Sequence, residues 1–87
     1  MRLEWDARKA RENLRKHGVS FEEASSAFFD SLSVTGDDPD YSVGERRLVT
    51  SGVSSSRRLL VVAHAETGDA IRIISTRRTT RAERKLY

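Results

Sequence analysis

The sequence predicts an α+β fold: two N-terminal helices, an antiparallel β-sheet of three to four strands, and a C-terminal helix. Three observations carry that expectation. Two capping boxes, Ser20 with Glu23 and Thr80 with Glu83, mark helix starts towards the two ends of the chain. Three β-rich runs, "RRLVTSGV" (46–53), "RRLLVVAHA" (57–65) and "AIRIIST" (70–76), follow one another after the acidic middle. The links between them, "SSS" and "ETGD", are short enough for hairpins, so the strands pair as antiparallel neighbours with the helices on one face.

Taken in order, "LEW" (3–5) is short and apolar at both ends, with Trp5 read as core. Asp6 follows as an N-cap, its carboxylate able to accept from the free amides of the next turn. The first helix runs to about Lys16, with Ala7, Ala10 and Leu14 as its apolar stripe. Gly18 ends it in a left-handed conformation. His17 lies at the negative end of the helix dipole, where a cation stabilises by about 0.3–1 kcal/mol, and that structural reading is favoured over a chemical one. The second helix covers about 21–29, with Phe21, Ala24, Ala27 and Phe28 facing the core. A brief strand is expected at Leu32–Val34, then an acidic loop with the only proline. The last helix starts at Thr80 and continues to Tyr87.

The 87 residues make one domain, 1–87, which buries roughly 60–65% of its unfolded surface. With no cysteine, disulfide stapling and thiolate metal sites are excluded. No apolar run approaches the ~20 residues that span a bilayer, and "MRLEWDARK" lacks the apolar stretch of a signal peptide, so a soluble cytoplasmic protein is expected. The net charge of +3 is unevenly spread: residues 77–87 hold five bases and one acid. Such a clustered excess creates a local field for anions.

The pieces "EWD" (4–6), "KHGVSFEEA" (16–24), "RLLVV" (58–62), "RIISTRR" (72–78) and "TRAERKLY" (80–87) occur here in one order. Together they resemble the BrnT family, toxins of bacterial type II toxin–antitoxin pairs with a RelE-like ribonuclease fold. Thr76 stands where the family often has alanine, and "AETGD" after His64 lacks an arginine commonly seen there. The resemblance implies an endoribonuclease that arrests translation and needs neither metal nor cofactor. It also implies a BrnA-like ribbon-helix-helix antitoxin as partner, with operator DNA reached only through that antitoxin.

Metal-free RNA cleavage needs a base for the 2′-OH proton, cations for the phosphate and an acid for the leaving 5′-oxygen. His64, at a strand end beside a turn, is the candidate for proton transfer if half-exposed; otherwise it is a hydrogen-bonded strand residue. Arg77 and Arg78 are the candidates for stabilising the phosphate, since a guanidinium fork can hold two of its oxygens; otherwise they serve solubility or pair with Glu83 or Asp69. Adjacent residues of an extended chain point to opposite sides, so one of the two is expected to reach the scissile group. Arg72, set on the face opposite Ile71 and Ile73, is read either as solvated or as part of an RNA groove. Arg81, Arg84 and Lys85 share a helix face that serves RNA or simply solubility. Tyr87 stacks on a base or closes the core beside Leu86. The alternatives to an enzyme are a non-catalytic RNA- or DNA-binding module and a pure interaction protein, because phosphate contacts need no acid or base.

Overall fold

A computed structural model describes residues 2–38 and 46–86, together with all but a few of their side chains. The proline-bearing part of the acidic loop and Tyr87 lie outside the described residues, as does the side chain of Lys85. The order is β1 (Arg2–Glu4), α1 (Ala7–His17), α2 (Phe21–Ala27), β2 (Val34–Asp37), β3 (Arg47–Val53), β4 (Leu59–Thr67), β5 (Ala70–Arg78) and α3 (Arg81–Leu86). The fold is α+β, with a five-stranded sheet in the order β1-β5-β4-β3-β2. Strands β2 to β5 form an antiparallel meander, and β1 joins β5 in parallel. The sheet is therefore mixed and larger than the expected three to four antiparallel strands. The extra strand is the "RLE" segment, three residues that carry no period of their own and become a strand only through the edge of β5. The brief strand also falls later than expected, at Val34–Asp37, where it pairs residue by residue with β3.

The helix ends follow the capping chemistry. The Asp6 carboxylate accepts from the amides of Lys9 (3.3 Å) and Arg8 (2.8 Å), which hold it below its ordinary value. Gly18, at φ 70°, closes α1 by donating to the Leu14 carbonyl at 2.8 Å. Ser20 accepts from the Glu23 amide at 3.0 Å. Glu23 does not complete the box; its carboxylate takes Arg58 and the Ser54 hydroxyl instead, tying α2 to the β3–β4 turn. At α3 the box is reciprocal, with Thr80 N–H on Glu83 Oε1 at 2.7 Å and Glu83 N–H on Thr80 Oγ1 at 3.2 Å.

Val19, Phe21, Ala24 and Ala27 pack on Leu60, Val62 and Ile73, with Trp5, Ala10 and Phe28 around them. Trp5 meets Phe21 edge-on at 6.0 Å. The end of α2 lies so close to β3 that a Cβ on Gly52 would stand 2.5 Å from the Ala27 carbonyl oxygen. The expected apolar stripe of α1 fails at two of its three positions: Ala7 and Leu14 are exposed, Leu14 by 52%, and the buried residue of that helix is Asn13. Beyond the end of β1 the backbone of β5 has no strand partner on that side among the described residues. The Asn13 amide takes the place of one, donating to the Thr76 carbonyl (2.9 Å) and accepting from its N–H (3.1 Å). It also donates to the Val19 carbonyl at 3.0 Å.

In β5, Ala63 pairs with Ser75 but His64 with Ile73, so Ile74 is an extra residue, a β-bulge. Before the bulge Ile73 faces the helices; after it Thr76 and Arg78 do, while Ser75 and Arg77 face the uncovered side.

Candidate functional site

The uncovered face of the sheet carries a groove of about 670 Å³. Two cross-strand rows form its floor: Val34–Ser51–Val61–Arg77 and Gly36–Val49–Ala63–Ser75. Small side chains dominate the second row, which leaves depth for a ligand over the middle strands. Asp37 and Asp38 rim it on the β2 side, where Asp37 pairs with Arg46 at 3.3 Å. His17, Thr76 and Glu83 rim it on the β5 side.

Arg77 is the cation that enters this groove. Its Nη1 and Nη2 each lie 2.8 Å from an oxygen of Glu83, and Nη1 also donates to the Arg78 carbonyl at 3.2 Å. This end-on pair, with the amide of Thr80 on the same carboxylate, pulls Glu83 down to about 2 and raises Arg77. A guanidinium has five N–H donors. The end-on contact leaves Nε–H and the second Nη2–H as a side-on fork, fixed in direction by Glu83. That fork has the geometry for two oxygens of one phosphate.

The other sequence candidates are dispersed. His64 was expected half-exposed at a strand end; it is 1% exposed, because β4 runs on to Thr67 and carries the imidazole into the helix-facing layer. There Nε2 lies 2.8 Å from Thr50 Oγ1, which is 2.7 Å from Thr35 Oγ1, and Phe28 packs edge-on at 5.0 Å. Nδ1 is buried without a partner, and burial pushes the imidazole below its ordinary value. His64 thus sits on the opposite face of the sheet from Arg77. Arg72 lies on the far side of the bulge, in the row Glu4–Arg72–Ala65–Arg47, and does not line the groove. Arg78 and Arg84 meet in a separate depression, and Arg81 is exposed at the start of α3. His17, read from the sequence as a helix-end cation, is the histidine that the fold puts at the groove. The signal for it was its place in "KHG", one residue before the chain turns at Gly18.

The buried His64 makes a testable statement about pH. Its folded-state value is depressed below that of the unfolded chain, so its contribution to stability is complete above about pH 6.5 and declines as the pH falls below it. Urea midpoints measured from about pH 7.5 to about pH 5 are expected to fall in the wild type. That slope is expected to flatten in His64→Leu, and an unchanged slope would mean that another group titrates.

The model of the ribonuclease toxin BrnT of type II toxin–antitoxin systems matches residues 5–83. The crystal structure of the Brucella abortus ribonuclease toxin BrnT is similar in fold, with a TM-score of 0.63 and 25% identity over 93% of this chain and 99% of that chain. No curated protein matches. A family match from Trp5 to Glu83 spans every element that builds the groove, from α1 through the Arg77–Glu83 pair, and on that ground the chain belongs to the BrnT family of ribonuclease toxins.

Proposed function

We propose that the chain is a metal-independent endoribonuclease with a RelE-like fold, which cleaves RNA to inhibit translation at the groove on the uncovered face. The observation that carries this reading is the side-on fork of Arg77, held in direction by Glu83 over a floor of small residues. A phosphate bound there meets two N–H donors, and these strengthen as charge builds on its oxygens. The 2′-OH attacks the adjacent phosphorus, the P–O5′ bond breaks, and the products are a 2′,3′-cyclic phosphate and a 5′-hydroxyl. His17, on the same rim, is assigned the proton from the 2′-OH. The departing 5′-oxygen takes its proton from water, which the open groove admits. His64 is assigned to the core and not to the reaction, since the sheet separates it from Arg77. Arg72 and Arg81 lie on the approaches and position the strand.

Membership of a type II toxin–antitoxin family implies an antitoxin. A BrnA-like ribbon-helix-helix protein that covers the groove and the C-terminal cations fits that role, with operator DNA contacted only by the antitoxin. The test is a 5′-labelled RNA incubated in excess EDTA. Persistent cleavage to cyclic-phosphate ends is expected, and loss of cleavage on chelation would overturn the metal-free mechanism. Co-expression with the neighbouring ribbon-helix-helix protein is expected to give one complex by size exclusion and to relieve growth arrest.

A further inference from the structure

A second cationic depression lies around the end of β5 from the groove. It has a volume of about 200 Å³ and is lined by Val53, Arg57, Arg58, Leu59, Arg78, Thr79 and Arg84. Four of these are arginines, and no carboxylate is among the lining residues. Arg58 is committed to Glu23. Arg57, Arg78 and Arg84 are exposed and have no carboxylate partner among the described residues. Glu23, whose carboxyl is lowered chiefly by Arg58, also feels the charge of Arg78, so this acid is already claimed.

The loop that presents Arg57 is built to hold it. Among the described residues, Arg57 is the non-glycine one with positive φ, 62°, a left-handed conformation that few side chains adopt without strain. The turn around it is pinned at several points. Ser54 accepts from the Arg57 amide at 2.9 Å, its hydroxyl donates to Glu23 at 2.7 Å, and the Ser55 amide donates to Ser26 at 2.8 Å. A cation on a strained but fixed turn, beside two others on β5 and α3, is arranged for an anion.

We propose that this depression is a second phosphate site, which holds the backbone of the RNA beyond the nucleotide that is cut. The proposal rests on RNA being the substrate of the groove. Arg77 and Arg78 are consecutive, with Cα atoms about 3.8 Å apart, and their side chains leave β5 on opposite faces. One strand of RNA passing the end of β5 at Thr79 therefore meets Arg77 with one phosphate and the Arg57–Arg78–Arg84 cluster with a following one. An acidic protein segment fits less well. Apart from Val53 and Leu59 the lining offers no apolar anchor, and protein interfaces depend on buried anchors.

The test is the binding of a fluorescently labelled single-stranded RNA with 2′-O-methyl riboses, which lack the attacking hydroxyl, followed by anisotropy across a range of salt. The variant is Arg57→Gly with Arg84→Ala; glycine accepts the positive φ, so the turn is kept, and thermal melting verifies the fold. The double variant is expected to bind roughly tenfold more weakly, and its plot of log K against log salt is expected to be shallower by about 1.4, two phosphate contacts at about 0.7 each. Wild-type affinity and slope would overturn the proposal. So would unchanged RNA binding together with weakened binding of the antitoxin, which would assign the depression to the protein partner. Weakened RNA binding in a protein that cuts no RNA would support this site and sink the endoribonuclease mechanism separately.

Discussion

Replacing Arg77 with alanine is expected to lower RNA cleavage by about 10²–10³-fold, the usual cost of removing a donor to a developing oxyanion. The fold is expected to survive, because the Arg77 side chain is 42% exposed and its partner Glu83 keeps its place in the capping box of α3. Lysine at the same position is expected to rescue little. Its ammonium supplies charge but not the planar fork, and it cannot meet Glu83 end-on while meeting a phosphate side-on. Glu83→Gln then separates two roles of the acid. If Glu83 aims Arg77, the glutamine variant loses rate with little change in RNA affinity. If Glu83 instead competes with phosphate, affinity rises. The pH dependence gives a further handle. The carboxyl of Glu83 is depressed to about 2, so its pairing with Arg77 is complete above the ordinary carboxylate range and is lost only as the pH falls towards about 2. Any change in rate near neutrality in the wild type therefore comes from a different group. Wild-type activity in Arg77→Ala would mean that the groove is not where RNA is cut.

Local chemistry was legible in the sequence wherever neighbours in the chain decide it. Asp6, Gly18, Ser20 and Thr80 cap the helices as their residue types predict, and the short links after β3 and β4 make hairpins. What could not be read depends on register. The strand status of Arg2–Glu4 exists only through pairing with Ala70–Arg72. The bulge at Ile74 resets which residues of β5 share a face, so Arg72 and Arg77, which strict alternation over five positions would set on opposite sides, share the uncovered face, and only Arg77 lines the groove. The groove floor draws Gly36, Ser51, Ala63 and Ser75 from four strands, and no one of them is conspicuous in the sequence. The burial of His64 is likewise a matter of pairing: Glu66 with Ile71 and Thr67 with Ala70 carry β4 past Ala65, so the ring lies within the strand and not at its end.

Asn13→Ala is expected to lower the unfolding free energy by about 2–4 kcal/mol, as much as truncating a buried apolar side chain. Asn13 is 7% exposed and makes three hydrogen bonds, two of them with the backbone of Thr76 and one with that of Val19. Alanine leaves the Thr76 N–H and two carbonyls buried without their partner, and each such group carries a desolvation penalty of about 1–3 kcal/mol unless water reaches it. Aspartate keeps the shape and one acceptor but sets a carboxylate oxygen against two carbonyls, so Asn13→Asp is expected to be no better. Leucine separates filling from hydrogen bonding. If Asn13→Leu matches the wild type in urea unfolding, packing alone holds α1 to β5, and the amide is not acting as a substitute strand. The same clamp also reaches the site. Asn13 lies one turn before His17 on α1, and Thr76 precedes Arg77 on β5, so the three hydrogen bonds fix the two rim residues relative to each other. Loosening them is expected to lower cleavage even in protein that remains folded, with RNA affinity less affected than rate, because misplacement of a reacting group by about 1 Å can cost 10²-fold.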